Sequence, residues 1–238
     1  MIKQAISKFF SDLKPMTWSE RFDHIWTYYK GVILTVAFIL FGAISIISTN
    51  LARKDSALCG VSVNIIVNET GTAYVEEEYL SHLDLSAITH ECSLLPIHYG
   101  SLEDSMASVE YNYNQLMRPV LMVSAVELDY LLMDSESMQR YMVYDLFMDL
   151  RTVFTAEELA AMEDLLIYSI PLDDDDQPLS ADPIPVAIDI SSLPFAQENI
   201  QTGDSVYLAF AINAPQVDTL RDFWNWLNEW TAPQPIDP

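Results

Sequence analysis

Nineteen consecutive residues, Gly31 to Thr49 (GVILTVAFILFGAISIIST), carry no charge, and only glycines and small hydroxyls interrupt their apolar character. As a helix rising 1.5 Å per residue, the run spans roughly 28 Å, close to the ~30 Å hydrocarbon core of a bilayer. A buried helix of a soluble domain normally keeps one polar face, and this run has none. The sequence therefore predicts a single transmembrane helix over residues 31–50. Five bases precede the span and two, Arg53 and Lys54, follow it, a bias that predicts a cytoplasmic N-terminus and an extracellular C-terminal domain. Trp26, Tyr28, Tyr29 and Lys30 lie just before the run, where amphipathic rings and a cation suit the membrane interface. A cleaved signal peptide fits less well, because the apolar stretch is long and no A-x-A site follows it. A lipid-anchored cysteine fits no better, since Cys59 follows Leu58 and lies ten residues beyond the run.

Charge divides the chain at the same place. The first 54 residues hold 7 bases and 3 acids, whereas from Asp55 onward 32 acids face 4 arginines, with no lysine after Lys54. A net charge of −28 on that part repels phosphates instead of releasing their counterions, which excludes nucleic acid as a partner. Gly60, Gly71, Gly100 and Gly203 are widely separated, so no phosphate-cradling loop is formed there. The sequence contains neither G-x-S-x-G nor H-E-x-x-H, and carboxylates this abundant make any catalytic pair unspecific. The reading is of a protein that is not an enzyme and needs no cofactor.

The periodicities give five segments: 1–30 cytoplasmic and amphipathic, 31–50 transmembrane, 51–58 a linker, 59–232 an acidic α/β domain, and 233–238 a proline-rich tail. In the first, Ile2, Ala5, Ile6, Phe9, Phe10 and Leu13 repeat at helical spacing among lysines, as in a helix lying on an anionic leaflet. Pro15 ends it, and Thr17-x-x-Glu20 reads as a capping box for the next helix. Beyond the span, strands are predicted at 61–67, 128–133, 186–190 and 206–212 from β-branched and apolar runs. Helices are predicted at 72–83, 111–126 (with Pro119 kinking or restarting it) and 137–147. Two more follow: one of about 13 residues from the capping box Thr155-x-x-Glu158 to Tyr168, and one capped by Asn213-x-x-Gln216 and running to Trp230. Alternating strands and helices argue a compact α/β domain with a mainly parallel or mixed sheet.

Few residues point to binding chemistry. Asp173, Asp174, Asp175 and Asp176 offer hard oxygen ligands for a weakly held divalent cation, or form a solvated loop; they lack the glycine turn of an EF-hand. His82, His90, Cys92 and His98 cluster in sequence but match no zinc spacing. Cys59 and Cys92 either close a disulfide loop of about 34 residues, worth roughly 3–4 kcal/mol, or remain two buried thiols. Leu220, Phe223, Trp224, Leu227 and Trp230 follow core-facing helical spacing, and Trp226 falls off that face, where a partner or sugar is the alternative to packing.

The stretch Glu127-Leu128-Asp129-Tyr130-Leu131-Leu132-Met133-Asp134 resembles the strand that follows an "age-D-v" turn in type 2 extracellular solute-binding proteins, with Val126 at the turn glycine. Tyr141 with Asp145–Leu150, and Leu208–Asn213 with the helix after it, resemble later segments of that family. Trp18-x-x-Arg21 and Trp26–Lys30 are similar to the N-terminal leader of small Firmicute single-pass membrane proteins of unknown function that carry such an ectodomain. The resemblance implies a reduced periplasmic-binding-protein-like fold behind a permanent anchor. The functional expectation is a membrane-anchored extracytoplasmic interaction or scaffold module with a protein partner at the cell surface. The alternative is a reduced solute- or cation-binding domain serving a membrane complex.

Overall fold

The computed structural model describes residues 17–52, 54–100, 106–170 and 182–231. The N-terminal amphipathic segment before Thr17, the loop Asp173–Asp176 and the tail 233–238 lie outside the described residues. The chain divides into two compact units, Met1–Arg53 and Lys54–Pro238. In the first, α1 (Trp18–Ala52) runs as one 35-residue helix, and Thr35 Oγ1 donates to the Gly31 carbonyl four residues back. Among the described residues no helix is long and apolar enough to cross a membrane.

The second unit begins with β1 (Asp55–Val63), β2 (Ile66–Val67), α2 (Glu69–Ala73), a π-helical turn (Tyr74–Glu78) and α3 (Tyr79–His82). There follow β3 (His90–Ile97), α4 (Met106–Ser124), β4 (Tyr130–Met133), α5 (Ser135–Met142), α6 (Ala156–Ala161) and β5 (Leu166–Ser169). The chain closes with β6 (Ile184–Asp189), α7 (Pro194–Asn199), β7 (Ile200–Gln201), β8 (Tyr207–Phe210) and α8 (Val217–Glu229). A six-stranded mixed sheet runs β3-β1-β4-β8-β6-β5, beside a two-stranded ribbon β2-β7. β1 is parallel to β3 and β4, while β8, β6 and β5 each pair antiparallel to their neighbours. The mixed α/β architecture expected from the sequence is present.

β4 sits at the centre, and all four of its residues are fully buried, as a strand covered on both faces must be. It starts after a helix stop of specific geometry. Glu127 N–H donates to the Met122 carbonyl at 3.0 Å and Val126 N–H to Val123 at 2.9 Å, the paired bonds of a Schellman cap. Val126 takes the left-handed conformation at φ +58°, which a β-branched residue adopts only at a cost.

Several expectations are corrected. The strand expected at 61–67 starts earlier, at Asp55, and breaks at Asn64, whose φ is +54°. The expected linker 51–58 thus contributes Asp55–Leu58 to β1, and Cys59 lies within that strand instead of opening it. The helix expected to reach Tyr168 stops at Ala161, because Leu166–Ser169 leave to pair with β6; its capping box is present. The strand β3 and the helix α7 are elements that the periodicities do not predict. α4 runs through Pro119 as a single helix.

Exposed sheet edges invite pairing with other chains. On β3, Thr89 and Ile97 turn their carbonyls toward β1, so the backbones of His90, Cys92, Leu94 and Pro96 face outward. Three of these positions offer no free donor. Pro96 has no N–H, His90 N–H donates to Ser86 O at 2.9 Å, and Leu94 N–H donates to Glu76 Oε1 at 3.1 Å.

Candidate functional site

The strand order β3-β1-β4 is a 2-1-3 arrangement, in which the chain leaves β1 in one direction and returns across it in the other. Open α/β sheets bind ligands outside the carboxyl ends of the strands at such a switch point. Here that crevice is filled by the chain itself. Asn64 follows β1 in the left-handed conformation, and its Oδ1 accepts from Tyr99 N at 3.0 Å while its Nδ2 donates to Ser137 Oγ at 3.3 Å. Tyr99 follows β3 and donates its hydroxyl to the same Ser137 Oγ at 2.9 Å, in a buried bond. Ser137 is held by the cap of α5, where its N–H donates to Asp134 Oδ1. Arg140 lies 5.5 Å over the Tyr99 ring and closes the stack from outside.

Among the described residues, two open pockets lie along the helical run 69–82. The π-helical turn, which ends with Tyr79 N–H bonded to the Tyr74 carbonyl, directs both tyrosines at α8. Tyr74 meets Trp230 edge-on at 5.3 Å, and Tyr79 meets Phe223 at 5.0 Å and Trp226 at 5.2 Å. Phe223 packs in turn on Tyr130 of β4 at 4.6 Å, whose ring lies over Gly60. A Cβ on Gly60 would fall 2.0 Å from that ring, so only glycine lets the aromatic layer reach the sheet. On the outer side of this layer a pocket of about 340 Å³ is lined by His82, Asp222, Asn225, Trp226, Glu229 and Trp230. His82 Nε2 lies 3.2 Å from Asp222 Oδ2 with both side chains nearly half exposed, and the Tyr79 hydroxyl lies 3.1 Å from the same oxygen. A wider cleft, about 550 Å³, runs past the amino end of β3 and is lined by Lys54, Glu76, Glu77, His90, Glu91 and Cys92 among others.

Two buried polar groups connect these regions. Asp129 Oδ2 accepts from Cys59 N at 2.8 Å, while its Oδ1 is buried without a hydrogen-bond partner. Burial raises this carboxyl above its ordinary range, against the opposing pull of the Cys59 and Gln216 backbone N–H groups. Gln216 precedes α8, so the buried carboxylate faces the start of the helix that carries the pocket. Asn213, expected to cap that helix, instead donates to the Val123 carbonyl at 2.7 Å, and no side-chain cap is formed. The Tyr130 hydroxyl is fully buried and also unpartnered.

The residues singled out by sequence distribute as follows. Cys59 and Cys92 are free thiols. Their strands are adjacent, but Cys92 pairs in register with Leu58 and Cys59 with Ser93, so the two side chains point to opposite faces of the sheet. Burial raises the Cys92 thiol to about 12, leaving it un-ionised at neutral pH. His82, His90 and His98 are not brought together, and no group of three metal-ligating side chains occurs among the described residues. Trp26 is half exposed and Lys30 exposed on α1. The stripe read as core, from Leu220 to Trp230, is buried, and Trp226 is half-buried at the pocket. His82, Asp222 and Glu229 are a group that sequence reasoning misses. The spacing of 222, 225, 226 and 229 marks one helix face, but nothing in the sequence places His82 against it.

Comparison with protein-family models, with curated proteins and with solved structures found no match. Among the described residues, this is a mixed α/β domain with Asn64, Tyr99 and Ser137 bonded together at the switch point and with two open pockets lined by acidic and aromatic side chains.

Proposed function

We propose that this chain is a membrane-anchored extracytoplasmic interaction or scaffold module without catalytic activity. In this reading α1 spans the membrane with its N-terminus in the cytoplasm, and the acidic domain meets a protein partner at the cell surface. The observation that carries it is the exposure of apolar side chains on every face of α1: Val32, Leu34, Phe38, Ile39, Phe41 and Ile44 are all well exposed. A helix apolar all round needs lipid or a partner to cover it. The filled crevice at the carboxyl ends of β1 and β4 supports an interaction role over enclosure of a solute. The resemblance to a reduced solute-binding lobe draws support from the left-handed Val126 at that family's glycine position.

Protease added to intact cells tests the topology, with cleavage expected beyond Lys54 and protection of the residues before Gly31. Purification of the full chain as a soluble monomer without detergent overturns the anchor. The second reading, a reduced solute- or cation-binding domain, is favoured by the two open pockets. It requires that sugars, peptides or divalent cations raise the melting temperature, since a ligand binding only the native state stabilises it.

A further inference from the structure

We infer that the pocket between α3 and α8 receives an organic cation, namely the ammonium or guanidinium group of a basic side chain. This deepens the interaction reading by naming the partner's chemistry, and rests on that reading for the partner though not for the pocket.

Four independent features converge on positive charge. Asp222 and Glu229 lie two helical turns apart on the same face of α8, with Asn225 and Trp226 between them. The two indoles, Trp226 and Trp230, form the pocket's aromatic wall, and indole is the strongest cation-binding ring among the side chains. Glu229 and Trp230 lie at the carboxyl end of α8, where the helix dipole presents partial negative charge and the last turn holds no basic residue. Among the described residues no lysine or arginine lines the pocket, and Arg140, Arg151 and Arg221 are paired elsewhere with Glu136, Asp149 and Glu158. An organic cation fits where a metal does not, because indole rings ligate no metal but do attract a polarised methylene or guanidinium face.

The test is an indole ¹H–¹⁵N titration of the full chain in detergent, which resolves the five tryptophans by their N–H signals. Tetramethylammonium and the tripeptides Gly-Lys-Gly and Gly-Arg-Gly, with blocked ends, are added against sodium chloride at equal ionic strength. The uncharged isostere 3,3-dimethylbutanol serves as control. Saturable shifts of the Trp226 and Trp230 signals are expected with the cations and not with the isostere. Glu229→Gln, at an exposed position, is expected to weaken binding about threefold, and Trp226→Leu about fivefold. Tighter binding of the peptides supports a partner side chain as the source, and tighter binding of tetramethylammonium overturns that assignment. Equal shifts with the uncharged isostere, an unchanged Glu229→Gln titration, or no saturable shift with any cation overturns the proposal. Because none of these readouts depends on where the protein resides in the cell, a failure here is distinct from a failure of the anchored topology.

Discussion

At the carboxyl ends of β1 and β4 the chain fills its own crevice, with Tyr99, Asn64 and Ser137 bonded to one another. Along α3 and α8 the same kinds of side chain, aromatic and carboxylate, are left half open to solvent. The difference lies in how completely each polar group is satisfied. In the crevice, each donor contributed by Tyr99 has an internal acceptor and the phenol ring is packed, so a ligand would have to break buried bonds to enter. Beside α8 the Asp222 carboxylate meets the Tyr79 hydroxyl and His82 yet stays nearly half exposed, and Glu229 is exposed, so a cation can approach without breaking a buried bond. A sheet arrangement that commonly binds at its switch point has here moved its accessible chemistry to a helix face.

The largest expected effect breaks the closed side. Tyr99→Ala removes a buried ring and a buried hydrogen bond, and is expected to cost about 3 kcal/mol in denaturant titration. A loss below about 1 kcal/mol would show that the crevice is not held shut by this residue.

The next effect concerns the link between the sheet and α8. Asp129→Asn retains an acceptor for Cys59 N–H while removing a buried charge, and is expected to stabilise the domain at pH 7 by about 1 kcal/mol. The sign follows from the raised carboxyl. The folded state holds its proton to higher pH than the unfolded chain, so wild-type stability falls as pH rises from the ordinary carboxyl range through the folded value. The variant's advantage should therefore be near zero at pH 3 and grow to a plateau above that window. An advantage that is constant from pH 3 to pH 8 would remove the electrostatic explanation.

The smallest effect tests the backbone ahead of β4, the strand shared by both regions. Val126→Gly relieves the left-handed valine and is expected to gain about 0.5–1 kcal/mol in melting experiments, less the entropy glycine adds to the unfolded chain. A net loss would mean that the valine side chain contributes packing its half-exposed position does not suggest.

Much of this architecture was legible where a residue's role is set locally. The capping box Thr155-x-x-Glu158 forms as expected, because its two bonds close within one turn. The core stripe of α8 follows from its 3.6-residue spacing alone. Where sequence reasoning failed, pairing had overruled local pattern. His90–Ile97 contains a proline and no clean alternation, yet it becomes a strand because β1 offers a parallel neighbour and because a proline on an outward-facing edge breaks no ladder bond. Leu166–Ser169 leaves the predicted helix for the same reason, drawn to β6. The pocket was legible only in part, since His82 and Asp222 are 140 residues apart and meet where Tyr79 packs on and bonds to α8.

The sequence by itself determined the partition into a basic, strongly apolar N-terminal part and an acidic α/β part, because charge counts and uninterrupted apolar runs do not depend on contacts. It also determined which helix face is core. Only the tertiary structure decided that Cys59 and Cys92 turn away from each other, that the switch-point crevice is occupied, and that two carboxylates and two indoles share one open pocket. Each of those outcomes depends on strand register and on distant segments meeting. A one-residue change of register reverses which face a side chain occupies, and no local pattern records it.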